Sequence, residues 1–185
     1  MEAVAGARQL AHLTLGEWAV LGLLSSGSLH AFALVKATAR DSELGRVWSV
    51  PTPVVYRAVD ALRRKELVEA LGEERSDAGP PRRLVGITPR GQDLLDAWLA
   101  RPVAHMRDVR TELLLKLALS ARLQRDPTPL VQAQRETFAP LLDALERRAA
   151  EAPPGFDRVV AHWRLESAAG VIRFLDRLAE QAPKG

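Results

Sequence analysis

The sequence predicts a mainly α-helical protein with one small β-hairpin, and three observations carry that prediction. Apolar residues recur every three or four positions through most of the chain, the spacing of helices with one buried face. A threonine followed by proline stands at Thr52-Pro53, Thr88-Pro89 and Thr128-Pro129, each time ahead of such a pattern. A capping hydroxyl before a proline suits a helix start, because the missing proline N–H has no partner to lose there. One pair of β-prone segments, 67–71 and 82–87, interrupts the helices around a polar stretch with Gly79-Pro80-Pro81 as its turn. The chain has 185 residues, 47% apolar and 26% charged, which suffices for a buried core.

The elements follow in order. Residues 1–13 read as a loose lead-in. Thr14 and Glu17 have the spacing of a capping box, and the first helix turns Trp18, Val20, Leu21 and Leu24 inward until Ser25-Ser26-Gly27-Ser28 stops it. A second short helix is expected from His30 to Ala39, apolar at Phe32, Leu34 and Val35 and polar at Lys36. After a polar connection, the third helix runs from Pro53 to Lys65 with Thr52 as its cap and Val55, Val59 and Leu62 as its inner stripe. The hairpin comes next, then a helix over 89–99 with Leu94, Leu95 and Trp98 on one face. Three helices, a hairpin and a helix in this order are the layout of a winged helix-turn-helix with a two-stranded wing. That domain is expected over 14–100.

Residues 101–185 are expected to form an all-helical domain. Pro153-Pro154-Gly155 divides it, and its apolar stripes are thin, with Arg and Glu between them. Such stripes need another helix to pack on. A second copy of the chain is the expected partner, with Met106, Leu113, Leu117, Phe156, Val160, Trp163, Ile172 and Leu175 at the dimer contact.

Composition and motifs exclude several functions. There is no cysteine, so disulfides, thiolate metal sites and cysteine nucleophiles are ruled out. The four histidines, at 12, 30, 105 and 162, have no i, i+4 pair, and no metal or cofactor is expected. No phosphate-binding glycine loop and no serine nucleophile elbow occurs. No apolar run approaches the roughly 18–20 residues of a membrane span. The N-terminus carries charge where a signal peptide has a clean apolar stretch. A cytoplasmic protein that is not an enzyme is expected.

DNA binding has positive evidence. Net charge is only +3, and the third helix alone reaches that figure, with Arg57, Arg63, Arg64 and Lys65 against Asp60. Arginine and lysine hold phosphates, and arginine reads guanine edges in the major groove. The expected DNA-facing set is Lys36 on the second helix, then Thr52, Val54, Tyr56, Arg57, Asp60, Arg63 and Arg64 around the third. Arg75, Arg82 and Arg83 on the hairpin are expected to clamp phosphates. The alternative is a dimeric ligand- or protein-binding module that keeps the fold without using DNA.

The segment from Pro53 to Val68, with Tyr56, Ala58, Leu62 and Leu67 at key positions, resembles the recognition helix of PadR-type transcriptional regulators. His30-Ala31-Phe32-Ala33-Leu34 is similar to that family's second helix. Pro80-Pro81-Arg82-Arg83 with Ile87-Thr88-Pro89-Arg90-Gly91 is similar to its wing end, and Arg110–Lys116 to the segment opening its helical domain. The chain departs from the pattern at Pro53 and Glu66, where glycine is usual, and at Val54, Ala61 and Arg63. The resemblance implies a homodimer on an inverted-repeat operator with half-sites about one turn, roughly 10 bp, apart. It also implies a repressor released by a small aromatic or cationic effector, with Trp98 as a ligand-stacking residue or, alternatively, a core residue packed on Leu94 and Leu95.

Overall fold

The first helix, α1 (Leu15–Ser25), is apolar on nearly every side, and such a helix is stable only when surrounded. Its residues from Gly16 to Leu24 are all buried. The capping box forms as expected: the Glu17 N–H donates to Thr14 Oγ1 at 3.2 Å, and the Thr14 N–H donates to Glu17 Oε2 at 2.6 Å. The computed structural model describes residues 13–76 and 79–181, with 74–76 and 79–82 described by backbone alone.

Around α1 stand β1 (Leu29–His30), α2 (Ala31–Ala37), α3 (Thr52–Arg64), β2 (Val68–Ser76), β3 (Gly79–Ile87) and α4 (Pro89–Ala100). The chain then passes through a 3-10 turn at Met106–Asp108 and a π-turn at Val109–Leu113 into α5 (Leu114–Arg122). Two long helices follow, α6 (Thr128–Ala150) and α7 (Phe156–Gln181).

The winged layout is present, with additions. The sheet has three strands in the order β1-β3-β2, all antiparallel, because Leu29 and His30 pair with Val85 and Leu84. The wing strands are longer than the hydrophobic pattern indicates: pairing runs from Val68 opposite Ile87 out to Ser76 opposite Gly79. Register shifts fall between Ala70 and Gly72 and between Glu74 and Ser76. Backbone pairing carries this outer part, where the alternation of apolar residues has already ended.

Two of the three expected threonine caps are replaced. Thr88 does cap α4, its Oγ1 accepting the Gly91 N–H at 3.1 Å. Thr52 and Thr128 instead lie inside their helices, with Pro51 and Pro127 at the cap positions. At α6 the Asp126 carboxylate accepts the Thr128 N–H at 2.9 Å, and the Thr128 hydroxyl together with that N–H holds Asp126 below its ordinary pKa. His30 caps α2, its Nδ1 accepting the Ala33 N–H at 3.0 Å.

The chain divides into two units, and the division is not the single cut expected at residue 100. Residues up to Leu99 form one unit together with Leu114–Arg125; Ala100–Leu113 and the chain from Asp126 form the other. The expected continuous helical domain is therefore interrupted by α5. Leu115 and Leu119 of α5 belong to the core built around α1. Gly22 makes the room: a methyl there would lie 2.5 Å from Leu119 Cδ1. Met106, Val109, Leu113 and Leu117, which recur at three- and four-residue intervals, lie on three differently wound pieces.

In the first unit Trp18 stacks on Trp98 with centroids 4.6 Å apart and planes 6° apart, and Lys116 Nζ lies 4.8 Å from the Trp98 ring centre. In the second, α6 and α7 pack along each other around Phe138, Ala168 and Leu175. Buried Gln134 holds both backbone groups of Val103, accepting its N–H at 2.7 Å and donating to its carbonyl at 2.9 Å.

Candidate nucleic-acid interface

Helix α3 is amphipathic. Val55, Ala58, Val59 and Leu62 are buried, and the residues on the opposite side are charged or polar. Helical spacing places Arg57, Asp60 and Arg64 along the outermost line, and all three are exposed. Thr52, Tyr56 and Arg63 are exposed along one flank. Of these, Arg57 has its Nε donating to the Pro53 carbonyl at 3.3 Å, within the helix.

The other flank packs on α1, and two expected DNA-facing charges or contacts change role there. Val54 is half-buried, with its Cγ1 3.4 Å from where a Gly16 Cβ would stand. It is a packing residue, because β-carbons on that flank meet α1 before solvent. Lys65, counted in the helix charge, donates from Nζ to Glu17 Oε1 at 2.5 Å. Burial raises the Glu17 pKa, but the Lys65 bond, the Thr14 backbone and hydroxyl bonds and the Lys65 charge together outweigh it and leave it below its ordinary value. Lys65 thus fastens the end of α3 to the start of α1, and the outward excess on α3 is carried by its three arginines.

The end of α3 is a Schellman turn. The Glu66 N–H donates to the Arg63 carbonyl and the Leu67 N–H to the Leu62 carbonyl, both at 3.0 Å. Glu66 occupies the left-handed position that glycine prefers, at φ 58°. Thr88 locks this turn to the next helix, its Oγ1 donating to the Glu66 carbonyl at 2.9 Å and its N–H to the Leu67 carbonyl at 3.1 Å. Gly91 closes the node, since a methyl there would lie 2.2 Å from the Leu67 oxygen.

On the wing side, His30, Phe32, Tyr56 and Arg83 line one cleft of about 320 Å3. Phe32 is 55% exposed and Tyr56 46% exposed, and the His30 and Phe32 rings lie 6.4 Å apart. Phe32 was not among the expected contacts; an aromatic residue beginning a short polar-ended helix is the signal that marks it. Lys36 is exposed on α2.

The wing departs from the expected phosphate clamp. Register places Glu73 opposite Arg83 and Glu74 opposite Arg82, and Arg83 Nε lies 3.7 Å from Glu73 Oε1. Residues 68–87 carry Glu69, Glu73, Glu74 and Asp77 against Arg75, Arg82 and Arg83, a net of −1. The side chains of Arg75 and Arg82 lie outside the described residues. By residue count the wing is nearly neutral, where α3 is basic.

Trp98 is only 4% exposed, covered by Trp18 and Lys116, so a ligand-stacking role for it is corrected to a core role. The expected dimer residues divide. Leu113 and Leu175 are fully buried within their own unit, and Met106, Leu117, Val160 and Ile172 are half-buried. Phe156 and Trp163 are 77% and 65% exposed, and Val159 joins them at i+3 from Phe156. Leu113 and Leu175 are corrected to core residues, since side chains already enclosed have no surface left to offer. Among the described residues, no group of three or more His, Asp or Glu side chains is placed to hold a metal ion. No described helix is long and apolar enough to cross a membrane.

No family model and no curated protein matches the sequence. Among solved structures, the chain is similar to Bacillus subtilis PadR in complex with operator DNA, at 20% identity and a TM-score of 0.45, over 88% of this chain and 97% of that one. It is also similar to Bacillus subtilis PadR without DNA, at 22% identity and a TM-score of 0.40, over 89% and 93% of the two chains. A third similar structure is smu.1604c from Streptococcus mutans, at 15% identity and a TM-score of 0.42, over 88% and 96%.

Proposed function

We propose that this protein is a homodimeric, sequence-specific DNA-binding transcriptional regulator, a repressor released by a small ligand. The observation that carries the reading is the outer face of α3, where Arg57, Arg63, Arg64 and Tyr56 are exposed on a helix whose other side is core. A rigid helix with exposed guanidinium groups on one face suits the major groove, reading guanine edges and holding phosphates. The exposed apolar residues Phe156, Val159 and Trp163 on α7 support association of two copies. Two α3 helices then meet an inverted-repeat operator about one turn apart.

The near-neutral wing refines the assignment. Arg57 and Arg64 carry more of the DNA contact than Arg83, whose charge faces Glu73. The same charge balance favours the second reading, a dimeric binding module that does not use DNA, and one titration separates the two. Fluorescence anisotropy is measured against the DNA upstream of the gene and a scrambled duplex, from about 50 to about 200 mM salt. The regulator binds its upstream DNA more tightly, with affinity falling steeply as salt rises. Arg64→Ala lowers the log–log salt slope by about one unit, and Arg83→Ala changes it less. Equal, weak and salt-sensitive binding to both duplexes means a basic surface whose operator lies elsewhere, and no binding to either at low salt favours the module instead.

A further inference from the structure

Phe32 stands outside a core that does not use it. On α2 the inward place is taken by Leu34, which is fully buried. Phe32 leaves 55% of its surface to water, and Tyr56 leaves 46%. Among the described residues, these two are the exposed large apolar side chains of α2 and α3. Both line the same cleft of about 320 Å3, with His30, Ala31 and Arg83. Single exposed apolar residues are ordinary, whereas two sharing one cleft form a patch that a partner can cover.

The start of α2 is a fixed turn. His30 Nδ1 accepts the Ala33 N–H at 3.0 Å, and His30 pairs with Leu84 in the sheet. Tyr56 lies in the second turn of α3, on the exposed flank that also carries Arg63. The exposed charges of α2 and α3 are Lys36, Arg57, Arg63 and Arg64 against Asp60, so an anionic partner fits. The chemistry of Phe32 narrows what that partner offers. A phenyl ring has no donor or acceptor, so it holds no phosphate and reads no base by hydrogen bonding. On base edges in the major groove one group is apolar, the 5-methyl of thymine. The N-terminal residues of a recognition helix are the ones that meet base edges.

We propose that Phe32, beside Tyr56, reads a thymine methyl of the operator, so that α2 shares in base choice with α3. The proposal rests on the DNA-binding reading above and adds an apolar contact to an otherwise charged interface. It isolates one chemical group. Uracil in place of thymine removes the methyl and leaves base pairing, charge and every hydrogen-bonding group of the duplex as they were.

The test uses the full chain and a duplex that it selects from a random pool, so the result does not depend on where the operator lies. Each thymine of the selected duplex is replaced in turn by uracil, and affinity is read by fluorescence anisotropy. At one position of a half-site, uracil is expected to weaken wild-type binding about fourfold, the worth of one buried methyl. Phe32→Ala is expected to bind the thymine and uracil forms equally, the signature of a direct coupling between ring and methyl. Its salt slope stays that of the wild type, because no phosphate contact is lost. Phe32→Leu, smaller but still apolar, keeps part of the preference for thymine. A uracil series with no weakened position overturns the proposal. A preference that persists undiminished in Phe32→Ala gives the methyl to another side chain and overturns it as well. A pool that yields no enriched sequence defeats the DNA reading and the proposal with it, whereas an enriched duplex indifferent to uracil defeats the proposal alone.

Discussion

Trp98 and Trp163 are the same side chain in opposite circumstances. Trp98 is enclosed by Trp18 and Lys116 in a unit that buries its own apolar surface. Trp163 stands on α7 with Phe156 and Val159, exposed on a helix whose other side packs on α6. The first unit surrounds a mostly apolar helix, α1, with elements from both sides of residue 100. The second offers only α6, α7 and a short lead to share one core. A pair of long helices buries one stripe on each and leaves the rest of its apolar surface for a partner. The contrast teaches that identical residues in a helical pattern carry no information on which chain covers them.

The largest expected effect breaks the enclosed side of that comparison. Trp98→Ala is expected to cost about 3–5 kcal/mol, read as a lower denaturant midpoint, because it empties a stacked site and uncovers Lys116. The next breaks the exposed side. Phe156→Glu combined with Trp163→Glu is expected to leave helicity intact in circular dichroism while light scattering falls from twice the 20.3 kDa chain mass to one. A dimer mass that persists in the double variant rules out this face as the contact.

Two smaller effects sharpen the account of how the first unit fixes α3. Glu17 has a folded pKa below its ordinary value of 4.5, so its contribution to stability is present above that value and is lost as pH falls through the folded one. Glu17→Gln removes this component: the variant is less stable near neutrality and loses less on acidification to about pH 3. Melting curves across pH read both. Glu66→Gly is expected to stabilise by about 1 kcal/mol, since glycine adopts φ 58° without the side-chain penalty. The Arg90 pair lost with it spans 3.7 Å between exposed groups and contributes little.

Much of the fold was legible because local rules and burial agreed. The Thr14–Glu17 box, the Val55–Val59–Leu62 stripe and the stop at Pro153-Pro154-Gly155 each appear where the sequence places them. Thr52 misled because a threonine before proline can be a cap or the first helical residue, and Pro51 settled it. The outer wing was missed because backbone pairing, not apolar alternation, extends β2 and β3. In the candidate site, the basic character of α3 was plain from counting. The loss of Lys65 to Glu17, forty-eight positions away, was not.

By itself, the sequence determined the order of elements, the amphipathic third helix and the absence of cysteine chemistry, since composition and period are properties of neighbours along the chain. Only the tertiary structure decided that α5 completes the first core, that Trp98 is closed, that Val54 faces α1 and that Arg83 faces Glu73. Each of those depends on which distant surface a side chain meets. A helical or alternating pattern says that a face is to be covered, and only the assembled fold says by what.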